Sequence, residues 1–124
     1  ENGCVNVRPH RLALGPREGT GRLNPLDPGG PGLNLGDRYL TTDGTGEQVP
    51  LLPLDRVTLP PPVKLVKVDV QGTELHVLSG ARETIARERP YLVVEFEEHC
   101  LRRYGYGSAE LFAAVRGLGY ELFF

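Results

Sequence analysis

The 124 residues contain no methionine, and the first of them is Glu1. A chain without a start residue is expected to be a piece of a longer one, and its beginning carries no information on targeting. Cysteine is scarce as well. Cys4 and Cys100 stand far apart with no Cys-x-x-Cys spacing, which excludes a disulfide-rich scaffold and points to free structural thiols. Neither sign of charge dominates: 14 Lys and Arg face 16 Asp and Glu, a formal net charge of −2. That balance lacks the basic footprint of a dedicated nucleic-acid binder. No apolar run approaches the length of a membrane span. What remains is an ordinary globular composition, long enough for one small domain with a modest core.

The chain divides by composition into residues 1–62 and 63–124. The first part is crowded with Gly and Pro, as in Gly15-Pro16, Pro28-Gly29-Gly30-Pro31-Gly32 and Pro60-Pro61-Pro62. Proline removes backbone donors and glycine adds chain entropy, so only short strands and turns are expected there. Val5 to Leu14 reads as a strand interrupted by Pro9, and Thr20 to Leu26 as a short extended piece. The stretch from Pro28 to Gly46 has no periodic face and reads as a loop.

From residue 63 the pattern sharpens. The β-branched run Val63 to Val70 suits a strand buried on both faces, as in a parallel sheet. Thr73 is placed to cap a helix with Glu74 in its first turn, and Leu75, Leu78, Ala81 and Ile85 share one face. Pro90 stops that helix near Arg89. Tyr91 to Phe96 reads as a second buried strand. After a turn at Gly105 to Gly107, Ser108 is expected to cap a helix through Leu111, Phe112, Val115 and Leu118, which Gly119 ends. Tyr120 to Phe124 reads as a third strand. Strand–helix–strand–helix–strand alternation implies an α/β layer fold with a mostly parallel sheet.

In open parallel sheets ligands bind beyond the carboxyl ends of the strands. Asp69 and Glu95 fall at or near such ends. An acid closing an apolar strand is costly without a partner, and two such acids side by side make a candidate general base or a polar anchor. The plainer alternatives are that Asp69 caps the Gly72 turn and Glu95 is a solvated strand end. Glu97, Glu98, His99 and Cys100 supply metal-ligand atoms, but their consecutive order suits no common site, and no metal is expected. His76 and His10 have no Ser or Cys partner at a recognisable elbow, so no hydrolase triad is read. Gly29 to Gly36 lacks the strand–turn–helix setting of a phosphate-cradling loop, and a dinucleotide enzyme would need the missing glycine fingerprint.

Leu65-Val66-Lys67-Val68-Asp69-Val70-Gln71-Gly72-Thr73-Glu74, followed by Val77-Leu78-Ser79-Gly80-Ala81, resembles the signature of the FkbM-type S-adenosylmethionine-dependent methyltransferases. Pro90 with Val93-Val94-Glu95, Leu54-Asp55, and Asn6-Val7 with Ala13-Leu14-Gly15 and Gly19 resemble further parts of that family. Gln71 departs from its usual Glu and Thr73 from its usual Ala.

The resemblance implies a partial Rossmann-like class I methyltransferase domain of sheet order 3-2-1-4-5-7-6, of which this chain holds strands 3, 4, 5 and 6. It implies S-adenosyl-L-methionine as cofactor and a small-molecule or sugar acceptor. Asp69 would face the transfer crevice with Glu95 beside it, and Glu74 would orient the loop or touch the acceptor. Ala13 and Leu14 would line the adenine side. The family's glycine-rich cofactor turn is missing, so the isolated chain is expected to be marginally stable or to pair its open strand edges in trans. A degenerate, non-catalytic interaction module is the alternative.

Overall fold

The computed structural model describes residues 3–25 and 38–123. Three strands form one sheet: β1 (Ala13–Leu14), β2 (Gly19–Leu23) and β3 (Glu47–Leu52), in the order β1-β3-β2. β3 runs parallel to β1 and antiparallel to β2, with Ala13 opposite Leu51 and Thr20 opposite Pro50. Pro50 lies just before the stretch covered by β1, where β3 has an open flank and a missing N–H is tolerated. A second, two-stranded sheet pairs β4 (Leu65–Val68) with β5 (Tyr91–Val94) in parallel. Among the described residues four α-helices complete an α/β fold: α1 (Glu74–Ser79), α2 (Arg82–Glu88), α3 (Glu98–Arg102) and α4 (Ser108–Gly117). None of the described helices is long and apolar enough to cross a membrane.

The core joins Val68 to Val77, Leu78, Ala81 and Ile85 of the α1–α2 pair and to Leu101, Tyr106, Leu111 and Val115. Leu101 and Leu111 are fully buried, which fixes α3 and α4 against the inner face of β4 and β5. Val66, Leu92 and Val94 pack on the same cluster. The outer face of the two strands is open. Leu65 is 59% exposed, Tyr91 81% and Val93 49%. The expected burial on both faces is therefore not found, because among the described residues nothing covers the side that carries Leu65, Lys67, Tyr91 and Val93.

Other expectations are corrected by contacts that local pattern does not contain. The strand expected over Val5 to Leu14 shrinks to Ala13–Leu14, and Val5 and Val7 are exposed. The helix expected from Thr73 to Arg89 breaks at Gly80. A Cβ there would lie 2.0 Å from the Gly15 carbonyl oxygen, and the Gly80 carbonyl accepts the Asp55 N–H at 3.0 Å. Asp55, in the short 3-10 helix Leu54–Arg56, then caps α2, its carboxylate accepting the Glu83 and Thr84 N–H groups at 3.0 and 2.8 Å. Residues 120–123 form no strand, although Tyr120 runs beside β5 and its hydroxyl donates to the Pro90 carbonyl. Ser108 is the first residue of α4 rather than its cap. The N–H of Gly107 at the cap position donates to the Glu110 carboxylate at 2.9 Å. Phe124, Leu26 and the run Gly29 to Gly36 lie outside the described residues.

Candidate functional site

The site is built on the turn that follows β4. Gln71 has φ +56° and Gly72 φ +110°, so the chain reverses within two residues. Only glycine fits at the second, since a Cβ would sit 2.3 Å from the Cys100 carbonyl oxygen and 2.7 Å from the Tyr104 ring. Glu74 folds back over this turn. One of its carboxylate oxygens accepts the N–H groups of Val70 at 3.2 Å and Gly72 at 3.1 Å, and the residue is 1% exposed. Tyr106 closes the turn from α4's side: its hydroxyl donates to the Gly72 carbonyl and accepts the Leu75 N–H. Thr73, expected to cap α1, makes no side-chain cap; its hydroxyl donates to the Val70 carbonyl instead. The Leu75 N–H in the first turn of α1 is taken by the Tyr106 hydroxyl, while Glu74 reaches backwards to the N–H groups of the turn itself, contacts that a capping rule does not contain.

The turn sets Asp69 and Glu95 side by side. β4 and β5 end in register with Val68 opposite Val94, and the Glu95 N–H donates to the Val68 carbonyl at 2.9 Å. One step further, on the open face, the two acids are cross-strand neighbours. Lys67, two residues before Asp69 on that same face, places its ammonium 2.7 Å from the Asp69 carboxylate. That contact holds Asp69 below the usual carboxylate range. Glu95 moves the other way. Burial pushes it up, and the charges of Asp69 and Glu97 add to the effect. Its Oε2 is buried and accepts no hydrogen bond. Adjacent carboxylates whose environments drive their proton affinities apart are the usual basis for dividing acid and base roles.

A pH dependence follows. Glu95 binds its proton more tightly folded than unfolded, so its contribution to stability is present at low pH and is lost as pH rises through its raised value. Glu95→Gln is expected to stabilise the fold at neutral pH and to lose that advantage at about pH 4. Asp69 runs oppositely, since its lowered value gives stability that fades as pH falls. Urea melts of Glu95→Gln and Asp69→Asn at the two pH values check both signs, and equal shifts at both would refute the assignment.

The remaining candidates are dispersed. Ala13 and Leu14 are half-buried, and Gly15 beyond them abuts Gly80, at the opposite end of α1 from the Asp69 turn. The larger cleft, about 740 Å³, lies elsewhere, between Arg89–Leu92, Phe96 and Tyr120–Phe123. A smaller one lies between α1 and α4. Neither is lined by Asp69 or Glu95, and the Asp69 side chain is 37% exposed. Asp69 therefore faces an open surface, with the buried Glu95 oxygen beside it.

The structure also gathers what the sequence order had set aside. Glu97, His99 and Cys100 bring one ligand atom each to within 4.8 Å of one another. Glu98 turns away, accepting from the Ser108 N–H and hydroxyl and pairing with Arg102. No helix was expected here, because the run reads as charge rather than as an amphipathic face. In α3, Cys100 and Leu101 are buried while Glu98, His99 and Arg102 are exposed.

Searches of curated proteins and of solved structures gave no match. The family model described as the methyltransferase FkbM domain matches residues 7–122, a span that includes the Lys67–Glu74 signature, the turn it forms and both acids. The chain belongs to the FkbM methyltransferase domain family.

Proposed function

We propose that this chain supplies the acceptor side of the catalytic domain of an S-adenosylmethionine-dependent methyltransferase, acting on an oxygen nucleophile of a small molecule or sugar. The observation that carries the reading is the Asp69–Glu95 pair at the carboxyl ends of two adjacent parallel strands, the place where open α/β sheets bind ligands. The open flanks of β4 and β5 and the uncovered outer face are where further strands and helices of a Rossmann-like class I sheet would add.

S-adenosylmethionine carries an ammonium, a sulfonium and ribose hydroxyls. An acidic strand end with a buried, unpartnered Glu95 oxygen suits such cations and donors. When bound, the cofactor supplies an already activated methyl group. Asp69, kept ionised beside Lys67, would orient a donor hydroxyl or ammonium at its carboxylate. Glu95, with raised proton affinity, would take the proton released by the acceptor oxygen. Glu74 would position both acids through the turn, and Ala13 and Leu14 would contribute at most a wall at the far end of α1.

Calorimetry on the full-length protein with S-adenosylmethionine and its demethylated product tests the reading. Binding is expected, with Asp69→Ala weakening it by about 10- to 100-fold, the worth of a charge-assisted hydrogen bond. Gln71 favours a second reading, a non-catalytic interaction module, because it places an amide where the family usually has a carboxylate. Absence of cofactor binding by the folded full-length protein would support that module and overturn the enzyme.

A further inference from the structure

We propose that Glu97, His99 and Cys100, with Gln71 as a fourth donor, form a binding site for a borderline-soft divalent cation of the zinc type. The site stands apart from the methyl-transfer reading and rests on donor geometry. The Cys100 sulfur lies 3.3 Å from His99 Nε2 and 3.7 Å from Glu97 Oε2. It lies 3.6 Å from Gln71 Oε1, which comes from the turn after β4 rather than from α3. Bonds of about 2.3 Å to sulfur and about 2.0–2.2 Å to nitrogen and oxygen, set at tetrahedral angles, give donor separations of roughly 3.3–3.6 Å. The three separations from sulfur sit close to that range, and the Glu97, His99 and Cys100 donor atoms all lie within 4.8 Å of one another, so side-chain rotation suffices to close them on a cation.

The orientation of the groups fits the same end. His99 Nδ1 lies 3.4 Å from Glu97 Oε1, leaving Nε2 turned to the sulfur and Glu97 Oε2 turned to the same point. A hydrogen bond to the other ring nitrogen is what commonly fixes the ligating nitrogen of a metal-binding histidine. One thiolate, one imidazole, one carboxylate and one amide oxygen form a mixed soft and hard set that suits zinc better than calcium or magnesium. Such a cation would tie α3 to the turn that carries Asp69 and Gly72.

Cobalt(II) is the probe, titrated into the reduced protein and then displaced by zinc. Thiolate-to-cobalt absorption in the near ultraviolet and intense visible bands of tetrahedral cobalt are expected. Cys100→Ser is expected to abolish the thiolate band, and His99→Ala, at an exposed position, to weaken binding by about tenfold or more. Cys4→Ser is expected to leave the spectrum unchanged, since Cys4 lies in the exposed N-terminal segment. No thiolate band in the wild-type protein, a band that survives Cys100→Ser, or an affinity indifferent to His99→Ala would overturn the proposal.

Discussion

Gly72→Ala is expected to lower stability by about 3 kcal/mol or more, and to do so through two independent costs. The residue has φ +110°, where an L side chain carries a strain of about 1–3 kcal/mol. The added Cβ would also lie 2.3 Å from the Cys100 carbonyl oxygen, a backbone atom that cannot swing aside, and overpacking of this kind adds about 1–3 kcal/mol. For a domain of this size the sum corresponds to a melting temperature lower by roughly 10 °C or more. Gly105→Ala supplies the comparison. Its φ is +82°, yet a Cβ there meets nothing within 4 Å, so only the conformational cost of about 1 kcal/mol applies. Urea melts of the two variants separate the terms: equal losses would mean that the turn is not pressed against α3. Because Asp69 is three residues before Gly72, cofactor affinity of the full-length protein is expected to fall with Gly72→Ala and to hold with Gly105→Ala.

The same turn marks what could be seen in the sequence and what could not. The positions of Asp69 and Glu95 at strand ends were legible because a strand repeats every two residues, while their meeting side by side depended on β4 and β5 pairing in register, which the fold supplies. The division of the Thr73–Arg89 segment into α1 and α2 was not. It depends on a carbonyl at Gly15 and a carboxylate at Asp55, residues 65 and 25 positions from the break at Gly80 and brought there only by the tertiary fold. Strand β3 was hidden by Pro50 and Pro53, whose meaning depends on whether a neighbour needs their N–H groups. The Glu97–His99–Cys100 cluster was hidden for the opposite reason. Adjacent residues look unable to converge until a helical turn carries position 100 back over position 97.

Glu74 presents the remaining large effect, and it separates a positioning role from contact with an acceptor. Glu74→Ala removes the acceptor for two buried N–H groups, those of Val70 and Gly72, and leaves a void beside Tyr106. Charge-assisted hydrogen bonds contribute about 1.5–3 kcal/mol each, and orphaned buried donors cost about 1–3 kcal/mol, so a total near 3–5 kcal/mol is expected. Glu74→Gln keeps the Oε1 position as an acceptor of both N–H groups but sets an amide NH2 at the buried Oε2 position, which has no partner to receive it. Its cost is therefore expected near 1–2 kcal/mol. With Glu74 buried under the turn rather than facing the open surface at Asp69, Glu74→Gln is expected to retain nearly all cofactor affinity at a temperature where it stays folded, whereas Asp69→Asn loses it. Denaturant melts paired with calorimetry on the full-length protein read both quantities. A Glu74→Gln protein as stable as the wild type yet unable to bind would place the Glu74 carboxylate at the ligand and refute its role as the clamp of the turn.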